Sequence, residues 1–108
     1  MKMVTLEIGR ALHADAKKMG FASNIFIVNT LITLFGKCGS LLEAENVFIG
    51  CSQPDTVSWT ALLSAYLEQD EAGKALLLYR EMLQNGIIPD DRTLVIAIQA
   101  CSRLSEKE

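Results

Sequence analysis

The sequence predicts an all-α solenoid of antiparallel helix–turn–helix hairpins, and three observations predict it. Apolar residues fall at i, i+3, i+4 and i+7, the one-faced stripe of an amphipathic helix. That stripe recurs along the chain at offsets of 31 and 35 residues, the period range of stacked helical repeats. Glycine, proline and aspartate punctuate the same places in each repeat, and no strand-like alternation competes.

The elements follow in order. A helix near 4–19 carries Gly9, Leu12, His13 and Ala16, and Gly20 ends it in a left-handed cap. The next, near 25–37, carries Val28, Leu31, Ile32 and Phe35 and stops before Gly39. Ser40-Leu41-Leu42-Glu43 reads as a capping box opening a helix near 40–51, with Ala44, Val47, Phe48 and Cys51 on its stripe. Pro54-Asp55 closes that hairpin. Trp59, Leu62, Leu63 and Tyr66 mark a helix near 57–69, and Asp70 is the expected N-cap of the one near 71–85. That helix carries Ala75, Leu78, Tyr79 and Met82, with Gly86 past its end and Pro89-Asp90 in the loop beyond. Leu94, Ala97, Ile98 and Cys101 define the last, near 92–103.

Composition narrows the function classes. The 108 residues amount to one domain at most, half of them apolar, which excludes a disordered tail. Ten basic against thirteen acidic residues give a net charge of −3, and the pI is near 5.1. A generic basic nucleic-acid binder has a pI above about 9, so any RNA or DNA contact here is local and specific. Three cysteines without C-x-x-C spacing disfavour a disulfide scaffold and a zinc ribbon, and all three read as small core residues in a reduced compartment. The uncharged stretch between Lys18 and Lys37 is broken by Gly20, Asn24 and Asn29, short of the roughly 20 apolar residues of a membrane span. No membrane partner is expected. The first residues run straight into an amphipathic pattern, with neither an apolar signal core nor an Arg/Ser-rich presequence.

The strings Gly9-Arg10-Ala11-Leu12-His13-Ala14, Gly36-Lys37-Cys38-Gly39-Ser40-Leu41, Val57-Ser58-Trp59-Thr60-Ala61-Leu62, Tyr79-Arg80-Glu81-Met82 and Gly86-Ile87-Ile88-Pro89-Asp90 carry a resemblance. Together with the 31/35 alternation, they resemble the plant pentatricopeptide repeat proteins of the subclass that mixes long, short and standard motifs. The tetratricopeptide repeat fits less well, because Leu63 stands where its motif takes glycine and its period is a uniform 34. The resemblance covers the whole chain and implies a right-handed superhelical stack. It divides the chain into the second helix of an incomplete long repeat (1–24), a short repeat (25–55), a standard repeat (56–90) and the first helix of an incomplete long repeat (91–108). The chain then reads as a slice of a longer array or a truncated product.

The same resemblance implies single-stranded RNA as partner, read at about one base per repeat by the fifth and last residues of each unit. These are Asn29 with Asp55 and Thr60 with Asp90, assigned to a pyrimidine (uracil over cytosine) and then guanine, with the RNA running 5′ to 3′ along the repeats. An Asn amide offers a donor and an acceptor, a Thr hydroxyl either, and an ionised Asp accepts only. Phe26 and Val57, the second residues of their units, are the side chains implied to sandwich bases, with simple packing between hairpins as the alternative. Arg92 holds the equivalent place beside Val95, to which no base is assigned. The short unit departs from the family in ending Cys51-Ser52-Gln53-Pro54-Asp55, where a Met-Pro pair usually precedes the final Asp.

Catalysis is not expected, nor any cofactor or metal. The zinc deaminases appended to many such proteins need His-x-Glu and a later C-x-x-C. Here Ala14-Asp15 follows the single histidine, His13, which reads as a hairpin-contact residue. The resemblance therefore implies a segment of an RNA editing, processing or stability factor of the mitochondrion or chloroplast, with other editing-factor proteins as further partners. The alternatives are a helical scaffold that binds protein, or a fragment without activity of its own. Self-association through exposed repeat ends is expected in the isolated chain.

Overall fold

The computed structural model describes residues 2–107 as six helices: α1 (Lys2–Lys18), α2 (Ile25–Lys37), α3 (Leu41–Gly50), α4 (Thr56–Glu68), α5 (Ala72–Gln84) and α6 (Asp91–Lys107). No strand occurs among the described residues. The helices form an all-α solenoid, with α2–α3 and α4–α5 as complete hairpins. In one layer α2 packs on α4 and α4 on α6; α1, α3 and α5 make the other layer. The result is a slab of 43 × 34 × 18 Å. None of the described helices is long and apolar enough to cross a membrane.

Apolar spacing places the core as expected through the middle of the chain. Val28, Ile32 and Phe35 of α2 and Leu62 and Leu63 of α4 are buried, closed over by Ala44 and Val47 from α3 and by Ala75, Leu78 and Met82 from α5. The Phe48 ring meets Trp59 edge-on at 4.8 Å, tying the first hairpin to the second. His13 is half-buried with its ring edge-on to Phe35 at 6.0 Å, and burial and then the Lys17 charge lower its pKa. Small residues let the helices close in. A Cβ on Gly36 would lie 2.8 Å from Ala65 Cβ, so α2 and α4 meet there through a side chain that is absent.

Several details differ from expectation. Ser40 precedes α3 but makes no side-chain capping bond, and the expected box is missing its other half too: the Glu43 carboxylate pairs with Arg10 and the Ser40 N–H donates to the Phe35 carbonyl. Asp70 is not the N-cap of α5; Glu71 takes that place, and Asp70 holds φ 60°. It thus stands where Gly39 stands one hairpin earlier, with φ 78°, closing the left-handed turn between paired helices.

The sixth helix runs to Lys107 rather than stopping near 103, since nothing from Ser102 to Lys107 breaks it. Half-buried Leu104 packs on the core, and the Arg103 guanidinium donates to the Leu67 carbonyl at 2.6 Å. The buried face of α6 is Thr93, Ile96, Ala97 and Ala100, whereas Leu94, Ile98 and Cys101 of the expected stripe are exposed. Cys101 is therefore not a core residue, while Cys51 is buried and Cys38 half-buried at the end of α2.

Candidate functional site

Two networks of the same design join successive helices of the α2–α4–α6 layer. Each begins with the aspartate that closes a hairpin. Asp55 caps α4, its Oδ1 accepting from the Ser58 backbone N–H at 2.9 Å, while its own N–H donates to Ser58 Oγ at 3.1 Å. Asp90 does the same for α6 through Thr93, with 3.0 Å to the Thr93 N–H and 3.4 Å from the Asp90 N–H. The helix N-terminus thus holds a carboxylate where unsatisfied N–H groups and the dipole favour one.

Each hydroxyl then reaches back to the preceding helix. Ser58 Oγ lies 2.5 Å from Asn29 Oδ1, and Asn29 Nδ2 donates to Asp55 Oδ1 at 3.3 Å. Thr93 Oγ1 donates to Asp90 Oδ1 at 2.8 Å and lies 2.9 Å from Thr60 Oγ1, which also donates to the Thr56 carbonyl at 2.7 Å. Both carboxylates are held in the ionised form. Burial alone would raise Asp55, but hydrogen bonds from the Ser58 backbone, its hydroxyl and the Asn29 amide outweigh it and lower the pKa. For Asp90 the Thr93 backbone and then its hydroxyl lower the pKa against a smaller effect of burial.

The structure therefore brings Asn29 to Asp55 and Thr60 to Asp90. Thr60, Asp90, Val57 and Arg92 line a single cleft of about 290 Å³, with Lys37 and Glu68 at its edge. Val57 is exposed, Thr60 buried with only its cleft side open, and Ser58 and Thr93 fully buried. Phe26 is 80% exposed and faces a different groove, of about 490 Å³, lined by Leu12, Met19 and Phe21 between α1 and α2. Val57 and Arg92 flank the Thr60–Asp90 pair from successive helices, and a flat guanidinium can stack on a base as an aromatic ring does.

Ser58 and Thr93 escaped the sequence reading. Their signal was present: each follows a hairpin-closing aspartate by three residues, in Asp55-x-x-Ser58 and Asp90-x-x-Thr93. The usual capping box looks for Glu or Gln at that place.

Comparison with known proteins agrees with the repeat geometry. The chain matches the PPR repeat family over residues 54–103 and the PPR repeat over residues 26–50. It is 37% identical over 103 residues to a pentatricopeptide repeat-containing protein of Arabidopsis thaliana, covering 95% of this chain and 14% of that protein. A second from the same plant, named chloroplastic, is 40% identical over 86 residues, 80% of this chain and 16% of its own length. A third, named mitochondrial, is 34% identical over 99 residues, 90% of this chain and 19% of its own. The chain thus spans less than a fifth of each of these relatives.

Proposed function

Because the chain belongs to the pentatricopeptide repeat family, we propose that it is a sequence-specific segment for single-stranded RNA within an organellar editing, processing or stability factor. Each complete hairpin takes one base. Asn29 with Asp55 reads a pyrimidine, uracil before cytosine, and Thr60 with Asp90 reads guanine. Phe26, Val57 and Arg92 supply the faces between which the two bases stack. The observation that carries this reading is the twice-built network, in which a polar residue of one helix and the capping aspartate of the next meet on the same layer. An organellar location is supported by relatives named chloroplastic and mitochondrial.

Magnitudes set the expected affinity. Two stacked bases at about 1–3 kcal/mol each come to roughly 2–6 kcal/mol, where a millimolar complex needs about 4. A net charge of −3 adds little counterion release, so the salt slope is shallow. The test is NMR titration of the chain with tetranucleotides whose central pair is U-G or U-U. U-G binds more tightly, near millimolar, and Thr60→Asn moves the preference at the second base from guanine toward a pyrimidine. Equal affinity for the two RNAs, before and after the substitution, sinks the reading.

A further inference from the structure

The two networks differ in where their protons go. A carboxylate accepts only, so Asn29 must turn Nδ2 toward Asp55. Its Oδ1 then faces Ser58 Oγ at 2.5 Å, closer than Asp55 Oδ1 at 2.9 Å, so the single Ser58 proton, though within reach of the carboxylate, lies chiefly between Ser58 and Asn29. Asn29 keeps one N–H and one lone pair unspent. At the second network the Thr93 proton goes to Asp90 Oδ1, so Thr93 offers Thr60 only lone pairs. The single Thr60 proton is directed inward to Thr93 or to the Thr56 carbonyl, and only lone pairs remain for the cleft.

We propose that Ser58 and Thr93 set the hydrogen-bond polarity each reading pair shows to RNA: Thr93 makes the Thr60–Asp90 edge acceptor-only, and Ser58 leaves Asn29–Asp55 both a donor and acceptors. This rests on the RNA reading proposed above and explains its order of bases. Guanine presents two adjacent donors on its Watson–Crick edge, N1–H and the N2 amino group, and matches an edge made only of acceptors. Uracil and cytosine present donors and acceptors together and match the mixed edge. Both hydroxyls belong to the helix after the base they govern, so the identity read by one hairpin depends on a residue of the next. They are positioning residues, fully buried and out of reach of the base.

The experiment is the same NMR titration with the 108-residue chain, reading the ratio of dissociation constants for U-U and U-G tetranucleotides alongside the melting temperature. Thr93→Val preserves shape and removes the hydroxyl; the preference for guanine falls about three- to tenfold, the worth of one hydrogen bond. Thr93→Ser restores it. A residue that only capped α6 would lower the melting temperature in Thr93→Val and leave the ratio untouched, which overturns the proposal while the RNA reading stands. No preference for guanine in the unaltered chain brings down both. Ser58→Ala, read with an added A-G tetranucleotide against U-G, gives the reciprocal result, weakening discrimination at the first base and sparing the second; an unchanged ratio of A-G to U-G counts against the proposal. Should a variant fail to fold, the unaltered chain decides. The hydroxyl protons of Ser58, Thr60 and Thr93 are then slow enough in exchange to be observed by NMR, and fast exchange at all three overturns the assignment.

Discussion

At the scale of single residues, the hairpin-closing aspartates join stability to the proposed reading edge. The Asp55 and Asp90 pKa values lie below the ordinary aspartate value, so folding favours the ionised forms. Their contribution is complete above the unfolded value and is lost as pH falls through the lower folded values. Urea unfolding at pH 6 and pH 3 tests this: the chain loses stability in acid, and Asp55→Asn loses less between those two values because its amide does not titrate. An equal loss would place the acid sensitivity elsewhere. Asp70 shows the backbone at work instead. It holds φ 60° in the turn that Gly39 makes one hairpin earlier, a conformation that costs a side chain bearing Cβ about 1–2 kcal/mol and short polar ones less. Asp70→Val should therefore destabilise by about 1–2 kcal/mol and Asp70→Gly by almost nothing, the exposed pairing with Lys107 at 3.0 Å being worth little. Comparable denaturation midpoints for the two variants would refute the turn argument. The sequence left Asp70 hidden because aspartate is also a good N-cap, and only the backbone angle separates the two roles.

At the scale of helices, the contact between α2 and α4 fixes how the proposed reading residues are presented, since Asn29 and Ser58 bond across it. Gly36 is its tightest point, with a new Cβ 2.8 Å from Ala65 Cβ and 3.4 Å from Ala65 Cα. Glycine within a helix costs up to about 1 kcal/mol of propensity, but overpacking this close costs about 1–3. Gly36→Leu should thus lower stability despite the better helix former, by about 1–2 kcal/mol, and should shift the amide resonances of Ser58 and Asn29. A stabilised variant with an unmoved Ser58 would show that the helices part without consequence. The helices themselves were legible because periodic apolar spacing, glycine turns and proline loops agreed on them. The buried side of α6 was not. Register alone aligned Leu94, Ile98 and Cys101 with the buried faces of α2 and α4, yet burial depends on which neighbours are there. With only α4 and α5 beside it, α6 turns Thr93, Ile96 and Ala100 inward. The pairing of Asn29 with Asp55 and Thr60 with Asp90 came from family resemblance. The two hydroxyls that complete it stand at a fixed spacing after each aspartate, but their reach back to the preceding helix is side-chain geometry, which that spacing does not encode.

At the scale of the whole molecule, the two ends expose unlike surfaces. At one, Leu12 is 54% and Met19 68% exposed beside the groove between α1 and α2; at the other, Ile98 is 67% exposed on α6. The first end offers an apolar groove next to a second-type helix, and the other offers the apolar face of a first-type helix. Within the chain, helices of those two types pack as α2 packs on α3 and α4 on α5. Copies should therefore associate head to tail, a heterologous contact that does not close on itself and grows with concentration instead of stopping at a dimer. Each Leu-sized side chain covered contributes about 1.5–3 kcal/mol against an association cost of about 4–15, so assembly is weak and appears only at high concentration. Sedimentation of single variants and their mixture separates this from symmetric pairing. Leu12→Glu spoils one end and Ile98→Glu the other, so either variant alone stays monomeric under a head-to-tail scheme. Mixed, they form a 1:1 dimer that grows no further, because only the α6 end of the first and the α1 end of the second remain competent. Under symmetric pairing, at least one variant would still dimerise alone through its intact end, and the mixture would add nothing new.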